Sequence, residues 1–153
     1  MMQTISKNDI GDHINEALGH SDWLLIDQER INGFAESTDD FQFIHVDEKA
    51  AAKTPFGGTI AHGFLTLSLL SSLCSDLMLK IDGTVMSLNY GFDKVRFLTP
   101  VKVGSRVRAH AKLLESVEKN PGQILAKHEV TIEIEGEDKP ALVAEWLGMT
   151  IVG

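Results

Sequence analysis

Residues 62–79 read HGFLTLSLLSSLCSDLML, an apolar run broken mainly by small hydroxyl residues. Wound as a helix, its leucines would point in most directions, and a helix that is apolar nearly all round is buried. Eighteen residues of helix would be about 27 Å long, enough to cross a small domain. The serines and Asp76 argue against a membrane span. We therefore expect a long buried helix from His62 to about Leu79.

Beyond Ile81 apolar residues occur at every second position, instead of at the spacing of a helix. The alternating runs cover residues 85–97, 106–113, 129–135 and 142–152, and turn signals stand at Asn120-Pro121-Gly122 and from Gly136 to Pro140. Alternation with short connections predicts an antiparallel sheet with one apolar and one polar face. The expected fold class is therefore α+β, with the sheet wrapped around the central helix.

The first fifty residues carry several helix signals. Ser6 to Asp9 resemble a capping box ahead of an amphipathic helix that would end near Gly19. A short strand is expected from Trp23 to Ile26. Further helices are expected to start after Asp27, running toward Asp39, and after Asp47, because aspartate is a preferred N-cap.

Composition restricts the class of protein. A chain of 153 residues with 43% hydrophobic content is expected to form a single domain, residues 1–153. The net charge of −8 argues against nucleic acid or an anionic membrane as the main partner. The single cysteine, Cys74, and an N-terminus without a secretory pattern favour a reducing, cytoplasmic location.

Asp40 and His45 are the first candidate functional pair. Residues five apart diverge on both a helix and a strand, so the two side chains meet only if the chain bends between them. Asp39-Asp40 is a poor helix interior, which supports such a bend. A carboxylate and an imidazole together can activate a water molecule. The alternative is a helix-terminal aspartate and an unrelated histidine.

Gly63 is the second candidate, at the start of the expected buried helix. The first N–H groups of a helix have no partner within it, and the helix dipole is positive there. Since glycine lacks a side chain, a carbonyl oxygen could approach this backbone and be stabilised as it gains charge. The alternative is that Gly63 allows close packing of the helix against the sheet.

Several segments together resemble a known family. They are residues 34–45, FAESTDDFQFIH; Ile60-Ala61-His62-Gly63; Tyr90-Gly91; Val95-Arg96-Phe97; and Pro100-Val101 with Val103-Gly104. This set is similar to the MaoC-like, (R)-specific enoyl-CoA hydratases, in particular their nodulation-protein-N-like branch, across nearly the whole chain. The resemblance implies the hotdog fold, an antiparallel sheet wrapped around a long central helix. One departure is Gln42-Phe43, where many members have Asn-Pro.

The resemblance implies a reaction and roles for individual residues. Asp40 and His45 would hold the water that adds to a trans-2-enoyl thioester, and the Gly63 N–H would bind the thioester oxygen. Ser68 matches a serine that orients the substrate, although its hydroxyl could instead bond back to the preceding helical turn. The substrate would be a thioester of coenzyme A or of an acyl-carrier protein, and neither a metal nor a cofactor is expected.

The substrate's two ends suggest further residues. Phe43 and Phe56, with Phe41 and Leu67, are candidate walls for the acyl chain. Arg96 is a candidate phosphate contact, as are Lys94, Arg106 and Arg108, although cross-strand pairing with acidic neighbours is the alternative for each of them.

Two other function classes stay open. One is a hotdog acyl-CoA thioesterase that uses Asp40 to direct water to the thioester carbon. The other is a non-catalytic acyl-thioester-binding or dimerisation module, which would not need both Asp40 and His45. Because an open sheet has exposed edges, we also expect a homodimer formed by edge pairing.

Overall fold

The computed structural model describes residues 3–153, and none of its helices is long and apolar enough to cross a membrane. The helices are α1 (Gln28–Thr38), α2 (Phe43–Val46), α3 (Glu48–Ala51), α4 (Gly63–Ser68) and α5 (Leu70–Leu73), preceded by a 3₁₀ helix at Ile10–His13. The strands are β1 (Thr4–Ile5), β2 (Ala17–His20), β3 (Leu24–Leu25), β4 (Lys80–Ile81), β5 (Thr84–Phe97), β6 (Arg106–Asn120), β7 (Gln123–Ile134) and β8 (Leu142–Val152).

One antiparallel sheet forms most of the fold. Its strand order is β2-β6-β7-β8-β5, with β3 also paired to β6, while β1 and β4 form a separate parallel pair. The inner face of β6, β7 and β8 is buried against α4 and α5 in a single core. This core includes Val107, Val130 and Leu142 from the sheet and Leu65 and Leu70 from the helices. The expected α+β hotdog fold is confirmed.

The central helix is shorter than expected. It runs through α4 and α5, interrupted at Leu69, and ends at Leu73 rather than near Leu79. After Leu73 the backbone turns, and the Ser75 hydroxyl donates to the Ser72 carbonyl oxygen. Such local bonds compete with helical ones. The prediction that this helix is buried on all sides is also wrong, because Phe64 is 66% exposed.

The expected N-terminal amphipathic helix is wrong beyond His13. Asn15 has a φ of 66°, which takes the backbone out of the helical region. Its N–H donates to the carbonyl oxygen of Leu113 at 2.7 Å, and residues 17–20 then form β2 along β6. The hydrogen bonds offered by the edge of the sheet therefore replace those of a helix that has only local support.

The segment that carries Asp40 follows the prediction. Asp27 caps α1 by accepting a hydrogen bond from the Arg30 N–H at 2.9 Å. Helix α1 ends at Thr38, and its C-cap residue Asp39 has a φ of 58°, in the left-handed region. The chain then reverses into α2, and Asp47 caps α3 as expected.

Strand β5 forms one edge of the main sheet, since among residues 3–153 it pairs only with β8. The sequence predicted that one apolar face of the sheet would be buried, but this prediction is wrong along β5. Large apolar side chains are exposed at Val85, Met86, Leu88, Tyr90 and Phe92. Because a central strand would bury such residues, this edge presents both apolar surface and unpaired backbone groups.

Candidate active site

The structure brings Asp40, His45 and His62 together. The potential ligand atoms of these three side chains lie within 4.8 Å of one another. The reversal after α1 places Asp40 beside α2, which carries His45, and His62 immediately precedes α4. The bend expected between Asp40 and His45 is therefore present, and the pair converges.

His45 is held in a single orientation. Its Nδ1 lies 2.7 Å from the carbonyl oxygen of Ile60, which can only accept, so Nδ1 carries the hydrogen. Burial is the main cause that lowers the pKa of His45, with the nearby His62 adding to it, while the bond to Ile60 and the Asp40 charge oppose the shift. The imidazole is therefore neutral at pH 7, and its Nε2 is a free acceptor.

The backbone around His45 is fixed from α1. The Gln28 side-chain amide donates to the His45 carbonyl oxygen at 2.7 Å, and its oxygen accepts from the Thr59 hydroxyl. The Ile60 N–H donates to the carbonyl oxygen of Ile44. These bonds hold α2 against residues 59–60, the segment whose Ile60 carbonyl also fixes the ring.

His62 contacts both His45 and Asp40. Its ring stacks on that of His45 with centroids 3.8 Å apart, and Phe34 contacts it at 4.9 Å. Its Nε2 donates to the carbonyl oxygen of Asp40 at 3.0 Å. Its Nδ1 is buried without a hydrogen-bond partner among residues 3–153. His62 therefore positions both Asp40 and the His45 ring.

Gly63 and His45 line the same cavity. Its volume is about 250 Å³, and its wall also includes Thr66, Phe97 and Pro100. A Cβ at Gly63 would lie 3.1 Å from the Phe97 ring. Gly63 therefore packs closely against an aromatic ring at the end of β5, which is the alternative given for it, and its role as an oxyanion donor stays a prediction.

The remaining site candidates lie elsewhere. The Ser68 hydroxyl donates to the Phe64 carbonyl oxygen at 2.6 Å, which is the back-bonded alternative. Phe43 is 47% exposed on α2, and Phe56 is partly buried in the loop after α3. Arg96 is exposed on β5 and donates to the backbone carbonyl of Val95. Their roles in substrate binding stay predictions.

The outer face of the sheet resolves the alternatives for two arginines. Arg106 forms two hydrogen bonds with Glu135, and Arg108 forms two with Glu133. The Arg108 guanidinium also lies 4.3 Å from the centroid of the Trp23 ring. Cross-strand pairing, rather than a free phosphate-binding role, therefore describes these two side chains.

Asp40, His45 and His62 also form the group that could hold a metal ion within the described part of the chain. One nitrogen of each histidine is already bonded to a backbone carbonyl. The arrangement also suits a bound water, which could donate one hydrogen to the Asp40 carboxylate and one to His45 Nε2.

Sequence reasoning missed the contributions of His62, Thr66 and Phe97. His62 was noted only as the start of a helix, because a stacked ring and a bond to a backbone carbonyl leave no local pattern. Thr66 offered a signal, since it is a polar residue on the buried side of an apolar helix, 3% exposed. Phe97 reaches the site only because β5 curves past α4.

Comparison with known proteins identifies the family. The family model described as "MaoC like domain" matches residues 9–136. The chain is 50% identical over 147 residues to Nodulation protein N of Rhizobium leguminosarum bv. viciae, covering 95% of this chain and 91% of that protein. It is 48% identical over 137 residues to 3-hydroxyacyl-thioester dehydratase Z of Mycobacterium tuberculosis (strain ATCC 25618 / H37Rv), covering 90% of each.

A solved structure agrees with these relatives. The (R)-hydratase from A. caviae involved in PHA biosynthesis superposes with a TM-score of 0.69 at 28% identity, covering 85% of this chain and 93% of that one. Fold, site geometry and sequence similarity thus lead to the same assignment. This chain belongs to the MaoC-like dehydratase domain family.

Proposed function

We propose that this protein is an (R)-specific enoyl-CoA hydratase, which reversibly adds water to a trans-2-enoyl thioester to give the (R)-3-hydroxyacyl thioester. The main support is one observation: the potential ligand atoms of Asp40 and of a neutral His45 lie within 4.8 Å of each other, and His45 lines a cavity that Gly63 also lines. The dehydratase and (R)-hydratase named above catalyse reactions of this class according to their names.

The proposed chemistry uses one water molecule. Its hydrogens are donated to Asp40 and to His45 Nε2, which aligns its oxygen for attack on C3. As the C3–O bond forms, one proton passes from the water to this pair and the pair delivers a proton to C2, while the other hydrogen of the water stays on the new hydroxyl group. The reverse sequence removes water from the 3-hydroxyacyl thioester.

Charge develops on the thioester oxygen during this addition. The N–H of Gly63 is not used within α4, since the first helical N–H groups have no partner in their own helix. A donor placed at the developing oxyanion typically contributes about 10²–10³ in rate. We assign this role to Gly63, with His62 holding Asp40 and His45 in position.

We propose that the active form is a homodimer joined along β5. The strand is 14 residues long, has one edge that no other described strand pairs with, and exposes six large apolar side chains. Antiparallel pairing of β5 with its copy would satisfy the free backbone groups and bury this surface.

The proposal is tested with crotonyl-CoA and a longer enoyl-CoA. We expect loss of enoyl absorbance without release of free thiol, and an (R)-3-hydroxyacyl product on chiral analysis. Asp40→Asn and His45→Gln should each lower kcat by about 10²–10⁴ without unfolding the protein. His20→Gln on the outer face of the sheet is the matched control.

Two results would contradict the assignment. Near-wild-type turnover in both the Asp40 and the His45 variant would exclude these residues as the catalytic pair. Release of free thiol with the double bond left intact would show a thioesterase instead.

A further inference from the structure

A second cavity, separate from the one that His45 and Gly63 line, lies between α5 and the inner face of the sheet. Its volume is about 390 Å³, within the range of small-molecule sites. None of the residues that line the first cavity also lines this one. Small side chains create the space, since Ala126 on β7 faces Gly148 on β8.

His128 interrupts an otherwise apolar row in this cavity. The inward positions of β7 before and after it are Ile124, Ala126, Val130, Ile132 and Ile134, all of them buried. The His128 ring forms no hydrogen bond with the residues that the structure describes, and burial alone lowers its pKa to about 4. It is therefore a neutral imidazole, able to donate one hydrogen bond and accept another.

A second polar side chain, Asn89 on β5, lines the same cavity. Trp146 lies directly across from His128 on β8, and its Nε1 donates to the Asn89 Oδ1 at 3.1 Å. Because an indole can only donate, this bond fixes the Asn89 amide and leaves its NH₂ group available as a donor. The cavity thus offers donors from Asn89 and His128 and one acceptor from His128.

We propose that this cavity binds the distal part of the acyl chain and that His128 selects chains carrying a hydroxyl group there. This inference rests on the proposed function and names its substrate class more closely. A hydroxyl group both donates and accepts, so it satisfies the acceptor and the donors together, whereas a ketone would use only the donors.

The distance between the two cavities sets the chain length. Gly63 lines the first and Ser71 the second, and eight residues of helix separate them by about 12 Å. Crotonyl-CoA is therefore too short to reach His128, and so is an extended octenoyl chain, while a dodecenoyl chain spans this distance. The hydroxyl group should lie near the far end of such a chain.

The test compares dodecenoyl-CoA with its analogue hydroxylated at the chain end, using wild type, His128→Leu and the matched control His20→Leu. Wild type and control should favour the hydroxylated chain in kcat/KM. His128→Leu should reduce that preference by about 3- to 10-fold, the value of one neutral hydrogen bond, and leave turnover of crotonyl-CoA unchanged. Equal preference in wild type and His128→Leu, or none in wild type, would overturn the proposal.

Binding separates this proposal from the proposed reaction. Calorimetry with saturated dodecanoyl-CoA and its terminally hydroxylated analogue needs no turnover. Tighter binding of the hydroxylated thioester, lost in His128→Leu, would support the polar site even if no enoyl thioester were hydrated. Hydration of crotonyl-CoA without any such difference in binding would leave the reaction assigned and exclude the hydroxyl-selective site.

Discussion

Replacing His128 with leucine should remove a specific part of the protein's pH-dependent stability. Burial holds the pKa of this imidazole at about 4 in the folded protein, against an ordinary value of 6.5. In the unfolded chain the ring takes up a proton as the pH falls below 6.5, while in the folded protein it does not. Each pH unit in this interval costs up to about 1.36 kcal/mol, or about 3 kcal/mol in all.

The sign of the effect follows directly. The contribution of His128 is fully present above pH 6.5 and is lost as the pH falls to about 4, with no further loss below that. Arginine partners lower the pKa values of carboxylates such as Glu133 and Glu135. The stability that these carboxylates contribute is lost at low pH in wild type and in His128→Leu alike. The difference between the two proteins therefore isolates His128.

Urea unfolding of wild type, His128→Leu and His20→Leu, at one protein concentration and at several pH values from 7 to 4, measures this difference. The free energy of unfolding of His128→Leu should fall by about 3 kcal/mol less than that of wild type over this range. His20→Leu, altered on the exposed face, should follow wild type. Parallel curves for wild type and His128→Leu would refute a neutral His128 with a lowered pKa in the folded protein.

Three further substitutions test other parts of the structure. Gly63→Ala puts a methyl group 3.1 Å from the half-exposed Phe97 ring. We expect the free energy of unfolding to change by no more than about 1 kcal/mol and kcat/KM to fall by about 10². Unchanged kcat/KM would exclude the Gly63 N–H as the oxyanion donor. Tyr90→Lys on the free edge should shift a dimer to monomer in light scattering, whereas the exposed Val117→Lys should not; a Tyr90→Lys dimer of wild-type affinity would place the interface elsewhere. Phe43→Ala should favour longer enoyl chains by up to about 0.8 kcal/mol per methylene that gains burial, and an unchanged chain-length ratio would make the ring structural.

The sequence was most informative where structure is decided locally. Helix α1 was predictable because its capping residue, Asp27, and its final residues lie within a few positions of the bonds they make. The prediction of an N-terminal helix was wrong because the Asn15 N–H bonds to the carbonyl oxygen of Leu113, a residue far along the chain. A local apolar period cannot show that a sheet edge is available.

The same contrast applies to the candidate site. The meeting of Asp40 and His45 followed from a bend that the sequence indicated. The position of His62 over the His45 ring did not, because it depends on how α2 packs against residues 59–62. His128 left a clear signal, a histidine at an inward position of an alternating strand, but its surroundings could be known only once β5 and β8 were placed beside it.

Cys74 lies fully buried beside the larger cavity, and burial raises the pKa of its thiol to about 12. At neutral pH only about one molecule in 10⁵ would carry the reactive thiolate, and no reagent could reach it in the closed structure. Labelling must therefore wait until α5 separates from the sheet. Because Cys74 is the single cysteine of the chain, the rate of thiol labelling directly measures the rate of this opening. An acyl chain that fills the cavity should lower that rate.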